Sequence, residues 1–210
     1  MLRNSLQTSI VHVGMALREP EEFALRWHRE GAPYGVWVWA ALAFTAVLGT
    51  ATYGLTMGIL GGPFDMVSSA ILLTIAAGLA WLIPLPGLYI LNSLSGSRLR
   101  LSTTVLAALV TTSWGGLAMI ASIPINWFFS VAIPALPFPI SVAWWVWLVN
   151  IVVFTGVGVA MIDVFGRVMQ KLEPVRGRAP TWCLALVGLI GTELMYAFGL
   201  FHFAARVSGV

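Results

Sequence analysis

Glu193 is the only charged residue between Ala179 and Ala205, a stretch long enough to cross a bilayer. A carboxylate near the middle of such a stretch costs on the order of 3 kcal/mol even on lenient insertion scales. The chain must therefore protonate it, pair it with a neighbouring helix, or set it beside water. The first outcome gives a hydrogen-bonded acid that locks helices together. The others allow proton or ligand handling. On a helix, Glu193 shares its face with Tyr196 and Ala197 one turn on and with Leu189 and Ile190 one turn back. His202 lies nine residues away, about 13.5 Å along the axis and on the opposite side, so the two cannot pair within the helix. Partners must come from other spans, where Thr111, Thr112 and Ser113 lie mid-way along the third and Asn150 in the fourth. Glu193, Asn150, Thr112 and Tyr196 form the candidate intramembrane polar site.

Other chemistries lack their residues. Cys183 is the single cysteine, which excludes an internal disulfide, a CxxC redox pair and a cysteine zinc site. His12 and His28 are expected on one side of the membrane and His202 near the other, so no shared metal or haem site is expected. There is no P-loop, no HExxH motif, no acidic pair with metal-ligand spacing and no sign of a Ser/His/Asp triad. The basic residues follow topology, not nucleic-acid readout. No enzyme, cofactor or nucleic-acid partner is expected.

The elements that would carry these residues are membrane helices. Of 210 residues, 59% are hydrophobic and 9% charged, against about a quarter charged in soluble domains. Crossing the hydrocarbon core takes about 20 apolar residues, and five stretches qualify: 34–60, 66–94, 102–124, 142–165 and 181–205. Between Gly31 and Ser97 the only charge is Asp65, and between Leu101 and Ile162 there is none. With a cytoplasmic N-terminus, Arg3, Arg18, Arg26, Arg29, Arg98, Arg100, Arg167, Lys171, Arg176 and Arg178 all fall inside, and only Arg206 falls outside. The positive-inside rule then predicts an all-α integral membrane protein with five spans, N-in and C-out. Pro84 and Pro86 should kink the second span near its cytoplasmic end.

Residues 1–30 form a cytoplasmic amphipathic segment and 31–210 the membrane domain. Leu2, Leu6, Ile10, Val13 and Leu17 make one apolar helical stripe, and Pro20 suits the first turn of a second helix, Glu21–Glu30, carrying Phe23 and Trp27. Both could lie along the cytoplasmic leaflet or dock on the protein's own helix ends. No early apolar core marks a cleavable signal. The loop Gln170–Pro180 is polar and basic. Ile125–Ser141 is apolar, yet Pro134, Pro137 and Pro139 deny it a continuous helix. It is expected in the outer interface, where Trp127, Trp144, Trp145 and Trp147 make an aromatic belt, or against another subunit. Trp127, Phe128 and Phe129 are the candidate interface there, and Gly54-xxx-Gly58 offers a second through close helix approach. Gly115-Gly116, Gly156-x-Gly158 and Gly188-xx-Gly191 are further small faces.

Leu88-Tyr89-Ile90-Leu91-Asn92-Ser93-Leu94-Ser95, followed by a short basic loop, resembles the corresponding stretch of the Yip family. Pro20-Glu21-Glu22-Phe23 resembles the Pro-x-x-Phe helix that precedes the first span in bacterial members. The resemblance implies five spans and a cytoplasmic N-terminus. Eukaryotic members bind prenylated Rab GTPases in early secretory trafficking, but no acidic Rab-contact motif can be placed here. The Arg-rich, Lys-poor composition suits the inner membrane of a high-GC bacterium. The expected function is a non-enzymatic scaffold or subunit of a membrane assembly, partnered by the bilayer and by other subunits or copies of itself. A small transporter or channel with a polar centre around Glu193 is the alternative.

Overall fold

The computed structural model describes residues 11–30, 34–94, 96–131, 142–174 and 183–200, and every regular element among them is helical. Residues 11–18 form α1. There follow α2 (Pro20–Glu30), α3 (Val36–Met57), a single 3-10 turn at Ile59–Gly61, α4 (Pro63–Leu82), α5 (Leu85–Leu94), α6 (Leu101–Val131), α7 (Val142–Leu172) and α8 (Cys183–Ala197). Four stretches are long and apolar enough to cross a membrane: Val36–Met57, Pro63–Leu94, Leu101–Val131 and Trp145–Leu172. The apolar helix Leu184–Ala197 is shorter. Residues 2–10, with Leu2, Leu6 and Ile10, the loop residues 175–180, the stretch 132–141, the side chain of Trp144 and His202 lie outside the described residues.

Local chemistry explains the helix ends. Gly62 stands before α4 at φ 91°, a conformation that suits glycine, and Pro63 opens the helix with a preset φ. Asp65 in the same first turn meets the positive end of the helix dipole. The second span breaks at Ile83–Pro84, as its prolines require: α4 stops at Leu82 and α5 restarts at Leu85. Two helices end in the same glycine turn. Leu200 N donates to Met195 O and Gly199 N to Tyr196 O, both at 2.9 Å, with Gly199 at φ 67°. Ser97 N to Asn92 O and Gly96 N to Ser93 O repeat the pattern beyond α5.

Two boundaries differ from those expected. α6 runs through Pro124 to Val131, so 125–131 is helix, because one proline removes a single donor and near a span's end the rest of the ladder continues past it. The last helix ends at Ala197 instead of continuing to 205. Glu193 thus lies four residues, about 6 Å, before the end of α8.

α3 is central and packs on α4 and α6; α6 packs on α7, and α4 on α8. Glycine sets the closest approaches. A Cβ on Gly49 would land on the backbone carbonyl of Gly116, and one on Gly54 would lie 2.6 Å from Ala70 Cα. One on Gly58 would strike the backbone at Asp65 and Met66. Gly54 and Gly58 are buried against α4, so they are spent inside the chain. Trp127 and Phe128, by contrast, are more than half exposed.

The amphipathic α2 docks on α7 and α6. Phe23, Ala24 and Trp27 are buried, and Phe23 stacks on Tyr34 with ring centroids 4.2 Å apart. The apolar face of α2 is turned onto the bundle instead of outward. Glu21 pairs with Arg167, which also meets Asp163 at 3.0 Å, and Glu22 meets Lys171 at 2.8 Å. Glu173 accepts from Ser97 Oγ at 2.9 Å and Arg98 N at 3.0 Å. The described basic segments around α2, residues 97–100 and the end of α7 are therefore gathered at one end of the bundle.

Candidate functional site

The four residues of the expected polar site do not converge. Asn150 is fully buried: its Oδ1 accepts from Tyr53 Oη at 2.9 Å, and its Nδ2 donates to Val146 O at 2.7 Å. Tyr53 is likewise fully buried, so the bond ties α3 to α7 inside the core. Thr112 turns its hydroxyl back onto Leu109 O at 2.9 Å. Its neighbour Ser113 makes the cross-helix contact, donating to Leu42 O on α3 at 2.8 Å. Asn150 and Ser113 thus tie helices together, while the Thr112 hydroxyl bonds only within its own helix.

Glu193 behaves differently. It is exposed at the side of the bundle, and among the described residues it makes no hydrogen bond or ion pair. Among the described residues it donates to no neighbouring helix. The reason is the direction α8 faces: its buried side, Leu194 and Met195 with Phe198 and Leu200 beyond the helix end, packs on the core cluster around Tyr53 and Leu73. Glu193 and Tyr196 consequently look away from that packing.

They look into a cleft of about 660 Å³ between α7 and α8. Trp147, Ile151, Phe154 and Thr155 line it from α7; Thr192, Glu193, Met195 and Tyr196 line it from α8. Of the expected site, only Glu193 and Tyr196 meet there. Phe154 also touches Tyr53 edge-on at 5.7 Å between ring centroids, so the cleft wall rests on the core. Residues 147, 151, 154 and 155 recur at helical spacing, but every face of α7 is apolar. No local signal singles out that stripe as the one opposite Glu193.

Below the cleft the same two faces carry small residues. Gly158 continues the α7 stripe one turn beyond Phe154, and Gly188 the α8 stripe one turn before Thr192. A Cβ at either position would meet open space. A second groove, of about 510 Å³, runs between α6 and α7 and is apolar apart from Ser122. Among the described residues no cluster of His, Cys, Asp and Glu could hold a metal ion. The chain matches no protein-family model, no curated protein and no solved structure.

Proposed function

We propose that the protein is a non-enzymatic subunit or scaffold of a membrane assembly, with α7 and α8 as its contact face. The observation that carries this reading is the contrast among its glycines. Gly49, Gly54 and Gly116 are filled by neighbouring backbone and Gly115 by the Met161 side chain, whereas Gly158 and Gly188 open onto the outer side of α7 and α8. Membrane helices associate through close packing of such small residues, since lipid is as apolar as leucine and supplies no hydrophobic drive. The alternative, a small transporter or channel, calls for a shared polar centre, and Glu193, Asn150 and Thr112 stand in three separate places.

The same proposal includes five spans with a cytoplasmic N-terminus, in a bacterial inner membrane, as the resemblance to the Yip family implies. It is supported by the apolar α8 and by the clustering of basic segments at one end. Cysteines introduced at Ser95 and Gly177 are expected to resist an impermeant thiol reagent in intact cells, and one at Ser208 to react. Labelling at Gly177 from outside would overturn the topology.

The assembly reading is tested with a photo-crosslinking residue at Val159 or Leu189, both about 60% exposed, in cells expressing the protein at its native level. Crosslinks to a second polypeptide are expected, lost in Gly158→Leu and Gly188→Leu variants that remain folded. Crosslinks to lipid alone would refute it.

A further inference from the structure

We infer that the α7–α8 cleft is a binding site for a lipophilic organic cation: an amine, quaternary ammonium or phosphonium compound carried in the membrane phase. This goes beyond the subunit reading and does not depend on it.

Three observations meet there. The first is charge. Glu193 makes no ion pair or hydrogen bond among the described residues, yet it lies in an apolar stretch where an unpaired anion is costly. Among the described residues of these spans no base answers it: there is no Lys, Arg or His on α6, on α7 before Asp163, or from Cys183 to Leu200. A second copy would bring only the same apolar spans. The second is the kind of wall. Trp147 and Phe154 face the cleft from one helix and Tyr196 from the other. Aromatic faces attract cations through their ring quadrupole, most strongly where water is excluded. The third is size and support. A volume of about 660 Å³ falls within the roughly 300–1,000 Å³ of small-molecule sites. Its wall is not free to collapse, because Phe154 and Met195 also pack on the core around Tyr53.

The chemistry selects the ligand class. A metal ion would need several oxygen or nitrogen donors, and the described residues supply one carboxylate. An anion would be repelled, and a neutral apolar molecule would leave the carboxylate unanswered. An organic cation neutralises Glu193, places its charge among the rings and lays its apolar groups on Ile151 and Met195. A basic side chain from a partner's helix would offer the same charge, and the crosslinking arm of the test below separates it from a free cation.

The test uses the full-length protein in phosphatidylcholine nanodiscs, with radiolabelled tetraphenylphosphonium in equilibrium dialysis against empty nanodiscs. Saturable binding of one cation per chain is expected. Glu193→Gln should weaken it at least tenfold without changing the thermal midpoint, and Glu193→Asp, which keeps the charge, should retain affinity within about threefold. Tyr196→Leu should weaken binding severalfold. Uptake no greater than in empty discs, or unchanged by Glu193→Gln, would overturn the inference. So would a photo-crosslinker at Tyr196 that captures a second polypeptide in cells while tetraphenylphosphonium neither binds nor competes. Crosslinks from Val159 and Leu189 remain a separate readout, so either idea can fail alone.

Discussion

The pair α3–α6 and the pair α7–α8 are built from similar residues and put to opposite uses. Both are apolar, and both carry glycines and hydroxyls. In the first, Gly49 and Gly116 bring two backbones into contact, and Ser113 donates across to Leu42 O. In the second, Gly158 and Gly188 meet nothing, and Glu193 looks into an open cleft. Small and polar residues in a membrane helix therefore carry no single meaning. What decides is whether another backbone of the same chain already occupies the space they leave.

The sharpest way to break this comparison is to add one methyl group to each pair. Gly49→Ala places its Cβ on the Gly116 backbone, which cannot swing aside as a side chain could. The cost is expected at or above the upper end of the roughly 1–3 kcal/mol typical of overpacking, read as a lowered midpoint in detergent-titrated unfolding. Gly158→Ala and Gly188→Ala remove a flexible residue from a helix and meet open space. They should leave the midpoint unchanged or raise it, by no more than about 1 kcal/mol. Equal losses in the two pairs would erase the distinction.

A smaller effect is expected at the core's polar bond. Asn150→Leu strands the buried Tyr53 hydroxyl, at a cost of about 1–3 kcal/mol. Tyr53→Phe combined with Asn150→Leu should cost less than the sum of the two single changes. Full additivity in that cycle would show that the bond does not couple α3 to α7. Glu193→Gln should leave the same midpoint in place, which separates the core's polar residues from the cleft's.

The smallest effect belongs to the exposed clamp on α2. The hydrogen bond and charge of Lys171 hold the Glu22 carboxyl below its ordinary value of 4.5. A lowered folded value means that the clamp's contribution is complete above about 4.5 and is lost as pH falls through the lower folded value. The protection of α2 amides, taken relative to the intrinsic exchange rate at each pH, should be steady from pH 7 to 5 and fall below 4. Lys171→Ala should remove most of that dependence, and an unaltered acid response in this variant would count against the clamp.

Four of the five expected spans were legible because the length of an apolar run is a one-dimensional property, and the bilayer imposes it directly. The break at Pro84 was legible for a local reason, a missing donor. The role of each face was not. In a soluble helix the polar side marks the outside, but on α7 every side is apolar, so nothing in its periodicity shows that Asn150 turns inward or that Phe154 lines a cleft. The glycine pattern misled in the same way, since Gly54 and Gly58 satisfy a dimer motif and an internal contact equally well. Gly199 closes α8 by a local turn, whereas the length of the apolar run extends past it to Ala205 and carries no mark of where the helix stops.

That early end bears on the bilayer itself. With α8 ending at Ala197, about 6 Å beyond Glu193, the helix is itself shorter than its long neighbours α6 and α7. Acyl chains beside it must shorten or tilt, at a cost of fractions of a kcal/mol per Å of mismatch. The membrane should thin locally over the mouth of the cleft, letting headgroups sink toward Glu193. The protein would in this way shape its own lipid surroundings and draw the aqueous boundary toward the carboxylate of Glu193.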